Sequence, residues 1–168
     1  QGFEEAMNLG PLAQEKVMGL KVKLMDAKLH EDSIHRGPAQ VIPAFGSAVY
    51  GAMCLGGRIL LEPLTKIYIN CPESVMGDAL RELQQRRGNI EDIHQEGEAT
   101  IIVAKAPVAE MFGFASAIRG ATQGRALWST ENSGFVPVPN ELQTKVVAEI
   151  RTRKGLKPEP YDAAYYSG

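Results

Sequence analysis

"EPLTKIYINCPESVMGDALRELQQRRG", residues 62–88, decides the architecture of the chain. In its first part Ile67, Ile69 and Cys71 occupy alternate positions, the period of two that marks a strand with one buried face. From Ser74 the period changes. Val75, Ala79, Leu80 and Leu83 recur at helical spacing, Ser74 offers an N-cap, and Gly88 ends the run. "NIEDIHQEGEA" (89–99) and "TIIVAKAP" (100–107) then read as a strand pair turning near Glu96-Gly97. "MFGFASAIRGATQG" (111–124) reads as a second helix with Phe114, Ile118 and Ala121 inward, and "RALWST" (125–130) as a last strand.

That order, strand-helix-strand-strand-helix-strand, is the split βαβ of a ferredoxin-like α+β sandwich. A weak internal repeat agrees with it. Gly77 and Gly113 each follow a hydrophobic pair, Val75-Met76 and Met111-Phe112, and each stands eleven positions before a helix-ending glycine (77 to 88, 113 to 124). The nearly continuous apolar run in "TIIVAKAP" argues for a central strand. Phe112, Phe114 and Trp128 are read as core aromatics rather than base-stacking platforms.

Working outward toward the N-terminus, "GFEEAMNLGP" reads as a helix with Phe3 and Met7 on one face, stopped by a left-handed Gly10 and Pro11. In "VMGLKVKLMDAKL" (17–29), Leu20, Val22 and Leu24 alternate with Lys21 and Lys23, which predicts a half-buried strand. Pro43 suits the first position of a following helix, in which Phe45, Ala48, Val49, Ala52 and Met53 repeat before Gly56-Gly57. One strand with two helices cannot close a core. With an opening inside a helix, that suggests a piece of a longer protein. At the other end "PNELQTKVVAEIRTRKG" predicts a helix with Leu142, Val146 and Ile150 inward, a basic end at Arg151, Arg153 and Lys154, and a capping Gly155. The expected units are 1–58, 59–138 and a helix and tail at 139–168.

Composition limits the functional classes. The 168 residues are 44% hydrophobic and 23% charged, with net charge -2, so any RNA contact must come from local clusters. Two cysteines, Cys54 and Cys71, make no disulfide framework and suit reduced thiols in a cytosolic protein. "IIVAKAPVAEMFGFA" is interrupted by Lys105 and Glu110, so it cannot span a membrane, and the opening does not read as a signal peptide.

No phosphate-cradling P-loop, GxSxG elbow or HExxH is present. The chemistry-bearing stretch is "KLHEDSIHRGPAQVIP" (28–43), which holds His30 and His35. By spacing alone five readings stay open: a zinc site with Glu31 and Asp32, a Ser33 nucleophile activated by a histidine, a buried structural histidine, a solvated polar turn, and a chemically modified loop.

"LHEDSIHRGPAQVIP" resembles the tip loop of domain IV in the elongation factor 2 family of ribosomal translocases. The likeness continues through "LLEPLTKIYINCPESVMG", the stretch from "LQQRRGNIEDIHQEGEA" to "GRALWS", and "RKGLKPEP". "GPAQ" resembles the archaeal branch. The resemblance implies an incomplete domain IV with a tip loop at 30–39, a ferredoxin-like domain V and a C-terminal helix. It implies that His35 is the residue converted to diphthamide, with His30, Asp32, Arg36 and Gly37 as its loop, Arg36 approaching RNA and Gly37 giving the backbone freedom. Arg86, Arg87, Arg151, Arg153 and Lys154 become candidate rRNA contacts, although two arginines at a helix end also suit the helix dipole. Phe45-Gly46 stands where relatives often carry basic residues.

By the same resemblance the partners are the ribosome, with its rRNA and the tRNA-mRNA of the decoding centre, and the diphthamide biosynthesis enzymes. The location is cytoplasmic, with no membrane. No catalytic residue, metal or cofactor is expected in this chain, and GTP with Mg belongs to the full-length protein. The competing readings are a stand-alone enzyme using His30, Ser33 and His35, and an RNA-binding module independent of a GTPase.

Overall fold

In the computed structural model, which describes residues 1–167, four strands form one antiparallel sheet in the order β2-β3-β1-β4. They are β1 (Leu61–Pro72), β2 (Asn89–Glu96), β3 (Ala99–Pro107) and β4 (Leu127–Pro137). Helices α3 (Glu73–Gln84) and α4 (Phe114–Ala121) complete the compact unit Leu61–Pro137. Cross-strand register brings Ile69 opposite Ile102 and Trp128, and Ile67 opposite Ala104. These residues share one face with Cys71 and Ala106, and that face is packed by Val75, Ala79 and Leu83 from α3 and Phe114 and Ile118 from α4. Leu80 is half-buried against the same cluster. β3 is central, as its apolar run predicts, and its alternate residues Ile102, Ala104 and Ala106 are fully buried.

The internal repeat survives at the helix ends. After α3, Arg87 has φ 57° and the Gly88 amide donates to the Leu83 carbonyl at 2.8 Å. After α4, Gln123 has φ 54° and Gly124 donates to the Arg119 carbonyl at 2.8 Å. Each turn closes across five residues, so both helices are stopped by one device. Gly88 is required by contact, because a Cβ there would lie 2.6 Å from the Leu83 oxygen. At the other end the copies diverge. Gly77 lies within α3, whereas Gly113 caps α4 at φ 78°, after a 3-10 turn at Val108–Met111.

Three expectations in this unit are corrected. Ser74 is not an N-cap: Pro72 takes that position, and the Ser74 hydroxyl accepts a hydrogen bond from Arg125 at 3.2 Å. Phe112 is 84% exposed, because the left-handed turn at Gly113 sends it outward and Phe114 inward. Trp128 stands edge-on to Phe114 at 5.2 Å but remains exposed, since β4 is an edge strand covered by a short helix.

The second unit comprises Gln1–Leu60 and the segment from Val138 onward. It holds α1 (Gly2–Asn8), α2 (Pro38–Leu55) and α5 (Asn140–Arg153). Its core joins Ala13, Leu60, Val138 and Val147, with Leu142, Val146 and Ile150 half-buried against them, as the α5 periodicity predicts. α1 buries Ala6 and leaves Phe3 exposed. Gly10 is not left-handed. Its lack of a side chain matters by contact, since a Cβ would meet the Val17 methyl at 2.6 Å. α2 begins at Pro38, which fills the first helical position, and Pro43 lies inside the helix, where it can give no amide to the ladder.

The strand expected at 17–29 is absent. Among the described residues no strand pairs with it, its one backbone tie is the Val17 amide to the Met7 carbonyl at 2.8 Å, and Leu24, Met25 and Leu29 are exposed. Alternating side chains make a strand only when the backbone has a ladder to join. Both cysteines are free, and burial raises the thiol pKa of each. Among the described residues no helix is long and apolar enough to cross a membrane.

On β2, His94 Nδ1 lies 2.6 Å from Asp92 and Nε2 lies 3.4 Å from Glu96. The hydrogen bond to Asp92, then the one to Glu96, raises the pKa of His94. A raised folded value means the stabilisation is fully present below the unfolded pKa of about 6.5 and is lost as pH rises through the folded value. Asp92→Asn is expected to lower the His94 midpoint, measured by imidazole NMR titration. Core packing gives a second expectation, read by urea denaturation through Trp128, the single tryptophan. Ile69→Ala should cost about 2–5 kcal/mol, and Leu127→Ala, at an exposed position, less than about 0.5 kcal/mol.

Candidate functional site

The histidine segment folds into a closed loop ahead of α2. Asp32 caps a 3-10 turn at Ser33–Arg36, its carboxylate accepting from the Ile34 amide at 3.0 Å. The Asp32 amide in turn donates to His30 Nδ1 at 3.1 Å, which places the proton of the neutral His30 ring on Nε2. The His35 amide donates to the Asp32 carbonyl at 3.2 Å. Arg36 folds back over the loop. Its Nε donates to the His30 carbonyl at 2.6 Å and a terminal nitrogen to the Glu31 carbonyl. The His30 and His35 rings meet edge to face, centroids 4.7 Å apart and planes inclined by 66°.

Every side chain from His30 to Arg36 is exposed. Ile34, which the sequence reading passed over, is 76% exposed beside His35. Gly37 has φ -70° and ψ 160°, a conformation open to any residue and favoured before Pro38, so the expected glycine freedom is not used. Its carbonyl instead starts α2 by accepting from Gln40 and Val41. Among the described residues no hydrogen bond joins Ser33 to either imidazole, and no three His, Cys, Asp or Glu side chains converge as metal ligands.

The basic candidates are mostly engaged within the fold. Arg86 donates to the Glu82 carboxylate at 2.6 Å and stacks over Phe114 at 5.6 Å. Arg87 pairs with Glu62 and with Glu110 at 3.5 Å, and these contacts, Glu62 first, raise its pKa further. Arg151 is 3% exposed, donating to the carbonyls of Lys157 at 2.6 Å and Leu12 at 2.9 Å. Lys154 binds the Ala13 and Gln14 carbonyls and the Glu15 carboxylate. Arg153 alone of the five is exposed without an internal partner among the described residues. The Glu82-Arg86 pair has the i,i+4 spacing that a sequence can show, whereas the other ties run to backbone carbonyls or to carboxylates distant along the chain.

Residues 59–156 match the family described as elongation factor G C-terminus, and residues 1–57 match elongation factor G, domain IV. The chain belongs to the elongation factor G family. It is 63% identical over 167 residues to elongation factor 2 of Picrophilus torridus, and 64% identical over 167 residues to that of Thermoplasma volcanium. Each match takes in 99% of this chain and 23% of the relative. Elongation factor 2 of Methanosphaera stadtmanae is 58% identical over the whole chain and 23% of its own length. A solved structure from Thermus thermophilus superposes with a TM-score of 0.75 at 31% identity, over 90% of this chain and 23% of that one. This chain thus spans about a quarter of the length of the curated relatives it matches. The resemblance to archaeal elongation factor 2 and the α+β fold both hold.

Arg87→Ala strands a largely buried Glu62 carboxylate and is expected to cost about 1–3 kcal/mol in urea denaturation. Arg153→Ala should change stability by less than about 0.5 kcal/mol.

Proposed function

We propose that this chain is the C-terminal, ribosome-contacting portion of an archaeal elongation factor that promotes GTP-dependent translocation of tRNA and mRNA, with His35 the acceptor for diphthamide. The observation that carries the reading is the exposed His35 on a loop whose polar groups satisfy one another, in a chain matched end to end by elongation factor 2. A serine nucleophile needs its hydroxyl held by a base, and no hydrogen bond joins Ser33 to either imidazole among the described residues. This loop instead offers an accessible imidazole as a substrate for modification.

Diphthamide places an aminocarboxypropyl chain on an imidazole carbon and ends in a fixed cation. At the decoding centre such a cation can approach rRNA phosphates and 2′-hydroxyls beside the codon-anticodon duplex. Of the five basic candidates, Arg153 is the one left free to add a phosphate contact of its own. Arg86, Arg87, Arg151 and Lys154 act chiefly by holding the shape of their units. The chain carries no phosphate-cradling loop, so GTP and Mg fall to the part of the factor outside it, and no step here runs through them. The setting is the cytoplasm, and the other partners are the diphthamide biosynthesis enzymes.

The test is mass-mapped transfer of the aminocarboxypropyl group by those enzymes. Label is expected on His35, abolished by His35→Ala and weakened by His30→Ala. Label mapped to His30 or His94 would overturn the assignment.

A further inference from the structure

We infer that Arg36 is a positioning residue for chemistry at His35: its guanidinium closes the loop and thereby holds the His35 imidazole against His30 in one orientation. The inference rests on the reading of His35 as a modified residue and names the group that prepares it.

The guanidinium is committed to backbone. Nε donates to the His30 carbonyl at 2.6 Å, and a second nitrogen of the same planar group donates to the Glu31 carbonyl. Two bonds from one planar group to the carbonyls of consecutive residues use the fixed fork of arginine, which a lysine ammonium cannot reproduce. They tie residue 36 to residues 30 and 31 and close a ring of backbone around the 3-10 turn. Inside that ring Asp32 caps the turn through the Ile34 amide, and the Asp32 amide holds His30 by Nδ1. His30 is therefore fixed on the side facing His35, and the rings meet edge to face at 4.7 Å.

Among the described residues no hydrogen bond holds the His35 imidazole, which is exposed. Without Arg36 the carbonyls of His30 and Glu31 turn to water, the ring contact loses its support, and the imidazole samples many orientations. An enzyme that must reach one ring carbon then meets the competent loop only part of the time. Its apparent affinity falls in proportion to that fraction, while the chemical step on a bound, correctly placed ring is unchanged. A residue acting only through its positive charge would behave differently, since Arg36→Lys would serve as well.

The experiment compares the unsubstituted 168-residue chain with Arg36→Lys and Arg36→Gln in two measurements. One is the nuclear Overhauser contact between the His30 and His35 rings, which needs no enzyme. The other is the steady-state kinetics of aminocarboxypropyl transfer. Both variants are expected to lose the ring contact and to raise KM by about tenfold, with kcat within about twofold. Arg36→Lys behaving like the unsubstituted chain, or Arg36→Gln keeping the ring contact, would overturn the inference. Label mapped to another residue would overturn the reading of His35 as the acceptor, and no label on the folded chain would mean that recognition needs parts of the factor outside it; in either case the ring contact still decides whether Arg36 positions His35.

Discussion

Backbone pairing along β1 is the constraint on which the sheet-bearing half of the molecule depends. β1 is hydrogen-bonded on both sides, to β3 over Leu64–Pro107 through Pro72–Ala99 and to β4 over Leu61–Pro137 through Asn70–Leu127. With both edges filled, every second side chain of β1 must face the helices, and Ile67, Ile69 and Cys71 are wholly buried there. The positions of α3 and α4 follow, because each has only one apolar stripe to lay on that face. The twin turns at Gly88 and Gly124 then return the chain to the sheet.

The same constraint explains what the sequence concealed. Residues 17–29 alternate as cleanly as β1, yet they form no strand, because periodicity describes side chains and a strand is made by its neighbour's backbone. Alternation therefore identified β1, which has partners inside the chain, and misled at 17–29, which has none. The aromatic errors have a related origin. Phe112 and Phe114 are equally apolar, and only the positive φ of Gly113 between them decides which enters the core.

The site was legible in kind and opaque in detail. His30, His35 and Arg36 could be assigned to one loop from a single motif, and the structure keeps them together. Their division of labour was not readable. Arg36 looked like a free cation for RNA and is spent on two carbonyls. Arg86, Arg87, Arg151 and Lys154 looked like a surface and are largely internal ties. Charge is visible in a sequence, whereas its neutralisation by distant carboxylates or main-chain oxygens is a property of the fold. What is left for recognition is one exposed, internally hydrogen-bonded loop, preceded by Lys21, Lys23 and Lys28, which are exposed without an internal partner among the described residues, in a chain of net charge -2.

The central claim is that this loop enters the decoding centre. Its most direct test is site-directed hydroxyl-radical probing from an iron chelate attached at Ile34→Cys in the full-length factor, bound to ribosomes with a non-hydrolysable GTP analogue. Strand cleavage is expected only in small-subunit rRNA around the decoding site, and is lost when the factor is omitted. Cleavage confined to the large subunit, or none from a factor shown to be bound, would contradict it.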